Sequence, residues 1–132
     1  MQLRVDHSFR KALKGVRVLV VEDDAILLME LEEILQEAGA EIVGHCRTVA
    51  DALASVDKNG ISAAVLDVRI GKDTIAPVAR QLGRRGTPFF FYTGQVGSDP
   101  ALEEWRGCKV VAKPAQAHTI VAAVIDLLHR RQ

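Results

Sequence analysis

Apolar residues along the chain alternate between two textures. Five short, nearly continuous runs stand at Val16–Val21, Glu41–Cys46, Ile61–Leu66, Phe89–Tyr92 and Cys108–Ala112. Each is too short for a stable helix and most are rich in β-branched or aromatic residues, the pattern of strands buried on both faces. Between and after them lie amphipathic stretches. The first places Ile26, Leu27, Leu31, Ile34, Leu35 and Ala38 on one face and Glu30, Glu32, Glu33 and Glu37 on the other. Asp24 is the expected N-cap of this helix and Gly39 its stop. A short helix is predicted from Thr48, its N-cap, to about Val56, and Asn59-Gly60 reads as a turn. A helix over Asp73 to about Leu82 accommodates Pro77 in or near its first turn. The loop 94–100 leaves only Ala101–Arg106 for a fourth helix, hardly more than one turn, and Ala117 to about His129 forms the last.

Five alternations of strand and helix predict an α/β fold: a doubly wound five-stranded parallel sheet with right-handed crossovers. Residues 1–15, mixed and basic, are expected to be a flexible N-terminal extension, with one domain over 16–132. The chain's 132 residues suffice for one ordinary core. Its 17 basic and 17 acidic residues cancel, so no broad positive field gathers nucleic acid or an anionic membrane. Arg84-Arg85 and Arg130-Arg131 are too short to change that. Cys46 and Cys108 lack zinc-site spacing and read as buried thiols. No apolar run reaches membrane-spanning length and no secretory leader is visible, so a cytoplasmic location is expected.

In a doubly wound sheet, ligands bind at the carboxyl ends of the strands. There the sequence puts Glu22 and Asp23 after the first strand, Asp67 after the third, Thr93 after the fourth and Lys113 after the fifth. Three clustered carboxylates repel unless a cation joins them, and oxygen ligands suit Mg²⁺. A metal, an ammonium and a hydroxyl around one carboxylate constitute a phosphoryl-transfer site with Asp67 as nucleophile. Taken singly, each residue has a plainer role as a strand end, a turn or a helix-terminus charge. Taken together at four strand ends, those plainer roles explain the set poorly.

The quoted segments Val-Val-Glu-Asp at 20–23, Val-Leu-Asp at 65–67, Tyr-Thr-Gly at 92–94 and Ala-Lys-Pro at 112–114 resemble the receiver domain of two-component response regulators. The resemblance implies a flavodoxin-like sheet of order 2-1-3-4-5 and makes Asp67 the acceptor of a phosphoryl group from a histidine kinase phosphohistidine. Asp23, Asp67 and the backbone carbonyl of Arg69 would bind Mg²⁺, with Glu22 acting through water, and Thr93 and Lys113 would grip the phosphoryl oxygens. It also implies a cis Lys113-Pro114 peptide. Two departures stand out: Arg69-Ile70-Gly71 replaces the usual Met-Pro region, and Val110 occupies the place of the aromatic switch residue. Phe91-Tyr92-Thr93-Gly94 is similar to the FATGUY subgroup, which lacks that aromatic and often has a weak fourth helix, although Tyr92 replaces a small residue. The subgroup resemblance implies an HWE-type sensor histidine kinase as partner.

From the same resemblance, Arg69 and Gln95 become candidates for tuning the phosphoryl lifetime; Arg69 would shield the phosphoryl group, pair with it or lie in solvent. Output is expected from the face carrying Trp105, His118 and Ile120 or Val121, with core packing the plainer role for Trp105. A stand-alone receiver would act on a downstream protein target or a phosphotransfer protein, and a homodimer is compatible with it. It would be a phosphoacceptor rather than an enzyme. The alternatives are a degenerate receiver acting only as an interaction module, a metal-dependent phosphohydrolase and a flavodoxin relative. Arg69 stands where the phosphohydrolase needs an acid/base Asp, and acids follow the first strand where the flavodoxin relative needs a phosphate cradle.

Overall fold

The hydrophobic runs do form strands, and in a computed structural model of the chain they lie side by side. The structure describes residues 10–58, 60–94 and 99–130. Strands β1 (Arg17–Val21), β2 (Glu41–Cys46), β3 (Ala63–Leu66), β6 (Phe89–Thr93) and β7 (Val110–Ala112) make one parallel sheet in the order β2-β1-β3-β6-β7. This is the expected 2-1-3-4-5 order, since β4 (Arg69–Ile70) and β5 (Asp73–Thr74) form a separate antiparallel hairpin. Helices α1 (Ala25–Glu37), α2 (Val49–Lys58), α3 (Ala76–Arg84) and α4 (Ala117–Arg130) cover the sheet, and residues Pro100–Trp105 form a 3₁₀ helix.

Successive side chains of a strand point to opposite faces. Val18, Val20, Val65, Phe90 and Tyr92 therefore join α1 and α4 in one core, while Leu19, Val21, Leu66 and Phe91 join α2 and α3 in the other. β3, burying all four of its residues, is the centre of both.

The cap of α1 is as expected: the Asp24 side chain accepts from the amides of Ile26 and Leu27, and Gly39 follows the last turn at φ +102. Thr48 likewise accepts from Asp51 N at 3.1 Å. Most of the expected face of α1 is buried, Leu31, Ile34, Leu35 and Ala38 included; Leu28 joins it and Ile26 leaves it. Leu27 is half-buried and Ile26 is 65% exposed. The Asp24 cap fixes where the helix starts and hence which leucine meets the sheet. The helix expected from Asp73 begins at Ala76, because Asp73 and Thr74 are spent on pairing with Ile70 and Arg69. Pro77 then falls in the first turn, where its missing N–H costs nothing. Within the expected extension 1–15, residues 10–15 form turns that bury Leu13, whose amide donates to Ala38 O at 2.8 Å. Residues 1–9 lie outside the described residues, as does Asn59 of the expected turn. Cys46 is buried and Cys108 half-buried, both as free thiols.

Candidate phosphoryl-acceptor site

Three site residues stand one position beyond a strand and are fixed by the last rung of the parallel ladder. Glu22 N donates to Cys46 O at 3.0 Å, Asp67 N to Val21 O at 3.1 Å and Lys113 N to Thr93 O at 3.0 Å. The sheet order thereby turns residues far apart in sequence into neighbours on one rim. Carboxylate oxygens of Glu22, Asp23 and Asp67 can be chosen that lie within 4.8 Å of one another. The Lys113 ammonium reaches this group and donates to Glu22 Oε1 and Asp67 Oδ2, each at 2.6 Å.

The electrostatics follow from burial. The Glu22 side chain is 2% exposed. Desolvation raises its pKa, and the Asp67 charge adds to this, against the lowering effects of Lys113 and of the Asp24 amide, which donates to Oε2 at 3.1 Å. Burial alone would lower the Lys113 pKa; hydrogen bonds and charges from Asp67 and Glu22 outweigh it and raise the pKa instead. Lys113 is therefore a fixed cation, held by two carboxylates. Its reach to Asp67 is as expected. Glu22 is more directly engaged than expected, bonding the ammonium itself.

Asp23 is half-buried and bound into the surrounding loops. Its Oδ2 accepts from Gly71 N at 2.8 Å, which draws the β4–β5 hairpin over the acidic group. Its carbonyl accepts a fork from Arg47, Nε at 3.1 Å and Nη2 at 3.0 Å. Arg47 and Gly71 are not among the site residues expected from the sequence. The only signals for them were an arginine directly after a strand and a glycine two residues past Arg69. Thr93, at the end of β6, is buried beside this rim. The oxygen-rich group of three carboxylates fits a hard cation such as Mg²⁺ by donor chemistry.

Arg69 neither shields the acidic group nor lies free. Its guanidinium grips Asp99 through Nε–Oδ2 and Nη2–Oδ1 bonds of 2.8 Å each. Asp99 is also the N-cap of the 3₁₀ helix, accepting from Ala101 N at 2.9 Å. The fourth helix is thus short and irregular, as expected. Gln95 lies outside the described residues. Val110 is half-buried on β7 and packs against the core on the Phe91 side. Trp105 packs there too, its ring 5.9 Å from that of Phe91, so core packing is its role. Ile120 and Val121, expected on the output face, are both fully buried; of that set on α4 only His118 is exposed. The α4 stripe of Ile120, Val121, Val124 and Leu127 turns inward onto the sheet, leaving polar positions outside. The Lys113-Pro114 peptide is cis. Among the described residues, no helix is long and apolar enough to cross a membrane.

Comparisons with known proteins agree with this geometry. SdrG from Sphingomonas melonis Fr1 is 37% identical, with a TM-score of 0.73 over 86% of this chain and 96% of its own. A response regulator receiver protein from Sinorhizobium medicae WSM419 is 25% identical, with a TM-score of 0.77 over 91% of this chain and 99% of its own. PhyR from Brucella abortus shares the fold at 23% identity and a TM-score of 0.72; the match covers 86% of this chain but only 48% of PhyR. No curated protein sequence matches. The family model for the response regulator receiver domain matches residues 18–125. That match runs from within β1 through most of α4 and takes in every strand-end residue of the site, and the chain belongs to the response regulator receiver domain family.

Proposed function

We propose that this chain accepts a phosphoryl group on Asp67 from the phosphohistidine of a sensor histidine kinase and signals by that modification. The observation that carries the reading is the Lys113 ammonium bridging Glu22 and Asp67 at 2.6 Å beside the three-carboxylate group. A carboxylate oxygen of Asp67 attacks phosphorus; the P–N bond breaks as the P–O bond forms, and the imidazole leaves with its electron pair and takes up a proton. Asp23, Asp67 and the Arg69 carbonyl, with Glu22 behind them, would hold Mg²⁺, which would supply charge neutralisation at the phosphoryl oxygens. Lys113 then passes from Asp67 to a phosphoryl oxygen, and Thr93 donates its hydroxyl to another. The two bonds Lys113 makes beforehand keep its charge at that place without reorganisation.

The chain is in this reading a cytoplasmic phosphoacceptor, not a turnover enzyme. Its resemblance to the FATGUY subgroup supports an HWE-type kinase as donor, and the output is a phosphorylation-dependent contact with a protein target or a phosphotransfer protein. Incubation with acetyl phosphate, with and without Mg²⁺, and intact-mass measurement test it. A single phosphoryl adduct that needs Mg²⁺ and is absent in Asp67→Asn is expected. A folded protein that gains no adduct and binds no beryllofluoride would be an interaction module instead.

A further inference from the structure

Tyr92 replaces a small residue of the subgroup it otherwise resembles, and the structure shows what the larger side chain touches. On β6 it lies between Phe91 and Thr93, so strand alternation sends its side chain to the opposite face, against α1 and α4. There it is 6% exposed. Its ring centroid lies 5.7 Å from the Lys113 ammonium. Its hydroxyl accepts from Ala115 N at 3.1 Å.

These two contacts bracket the segment that carries the ammonium. Lys113 N is already used on Thr93 O at 3.0 Å, and Pro114 has no N–H to give. Ala115 is therefore the next residue able to anchor the turn by its amide, and Tyr92 receives it. The support matters because residues 113–116 run along a groove of about 490 Å³ whose other wall is Leu27, Leu31 and Ile34 of α1. The turn is thus held against an opening, and Tyr92 is the wall on its near side. The ring also stands where an ammonium gains from the negative face of an aromatic system.

We propose that Tyr92 is a positioning residue for phosphoryl transfer: its hydroxyl anchors the turn at Ala115 and its ring backs the ammonium, so that Lys113 stays between Glu22 and Asp67. The role in transfer rests on Asp67 being the phosphoacceptor; the role in holding Lys113 does not.

The test compares the wild type, Tyr92→Phe, Tyr92→Leu, Lys113→Ala and the Tyr92→Phe/Lys113→Ala double variant. Without any phosphodonor, amide exchange at Ala115 rises about 5-fold in Tyr92→Phe, the worth of one hydrogen bond. The slowly exchanging Lys113 ammonium resonance broadens in Tyr92→Leu. With acetyl phosphate and saturating Mg²⁺, adduct formation slows about 5-fold in Tyr92→Phe and further in Tyr92→Leu, while Mg²⁺ affinity stays within about 2-fold. In the Lys113→Ala background the tyrosine substitution adds nothing, because its effect passes through the ammonium. Unchanged exchange at Ala115 and an unchanged ammonium signal overturn the geometry. Altered exchange with an unaltered rate, or an equal loss in the Lys113→Ala background, reduces Tyr92 to a packing residue. If the wild type forms no adduct, the transfer role falls with the phosphoacceptor reading, and the two exchange measurements still decide whether Tyr92 holds Lys113.

Discussion

Replacing Asp99 tests how the hairpin after Asp67 is tied to the 3₁₀ helix that follows β6. The Asp99 side chain is 1% exposed and, among the described residues, makes three bonds: two of 2.8 Å to the Arg69 fork and one of 2.9 Å to Ala101 N. The helix it caps buries no residue fully; Ala101, Leu102 and Trp105 are only half-buried. Loss of an N-cap costs about 1 kcal/mol. A charge-assisted fork is worth about 1.5–3 kcal/mol when dry. The Arg69 side chain is 47% exposed, however, so solvent screening reduces the fork to about 1 kcal/mol. Asp99→Ala is thus expected to weaken the segment by about 2 kcal/mol, roughly a 30-fold shift in its opening equilibrium. Asp99→Asn keeps a good cap and loses only the charge, so it costs about 1 kcal/mol. Arg69→Ala takes both fork bonds from a buried carboxylate and exceeds Asp99→Asn.

Amide exchange over residues 99–106, together with fluorescence of Trp105, the single tryptophan of the chain, reads this directly. Because the segment lacks a core of its own, it opens locally, and the amides of β3 change little. Equal losses in Asp99→Asn and Asp99→Ala would show that the cap contributes nothing. Losses spread evenly over the sheet would refute the claim that this segment is held by its own latch. A pH corollary has a definite sign. The Arg69 hydrogen bonds hold the Asp99 carboxyl below its ordinary pKa, outweighing desolvation, with the Ala101 amide and the Arg69 charge adding to them. The latch is therefore fully present above the ordinary carboxylate pKa and is lost as pH falls through the depressed value. Trp105 fluorescence should report acid opening of the wild type, and Arg69→Ala should abolish that transition.

Lys113→Ala removes the one cation among the described residues that touches both Glu22 and Asp67, leaving Glu22 buried beside two acids; without Mg²⁺ the variant should lose about 3 kcal/mol in urea unfolding, less whatever protonation of Glu22 relieves. Millimolar Mg²⁺ should then restore more stability in the variant than it adds to the wild type, and equal gains would rule out a shared site for the two cations. Gly44→Ala should cost about 2 kcal/mol, since Gly44 sits at φ +74 where the β1–β2 register shifts and a Cβ would stand 2.8 Å from Ser55 Oγ. Adding Ser55→Ala should recover only the steric part, leaving the left-handed backbone cost; full recovery would show that the conformation is not strained.

The sheet and its rim were legible because both are written locally. Strand runs and helix stripes are periodic, and in a parallel sheet each strand's carboxyl end marks the rim, so Glu22, Asp67 and Lys113 could be placed together from three separate segments. The two-residue strands of the 69–74 hairpin carry too few positions to show alternation, which is why the helix expected there starts at Asp73 rather than Ala76. Partnerships between side chains had no local signature at all. Asp99 lies 30 residues from Arg69, and Arg47 meets the Asp23 carbonyl only because β2 and β1 are neighbours. The sheet order nonetheless explains which residue type each rim position takes. β1 and β6 flank β3, so Glu22 and Thr93, with side chains shorter than that of lysine, already stand beside Asp67. β7 is two strands away, roughly 10 Å across the sheet. A hydroxyl or a histidine at 113 would fall short of Asp67; a four-carbon stem ending in an ammonium spans the gap and reaches Glu22 as well. The length of lysine is thus dictated by the strand order as much as its charge is by the chemistry, and a reach that long is held in place only if something beneath it is rigid. Tyr92, on the strand between, stands where that support is required.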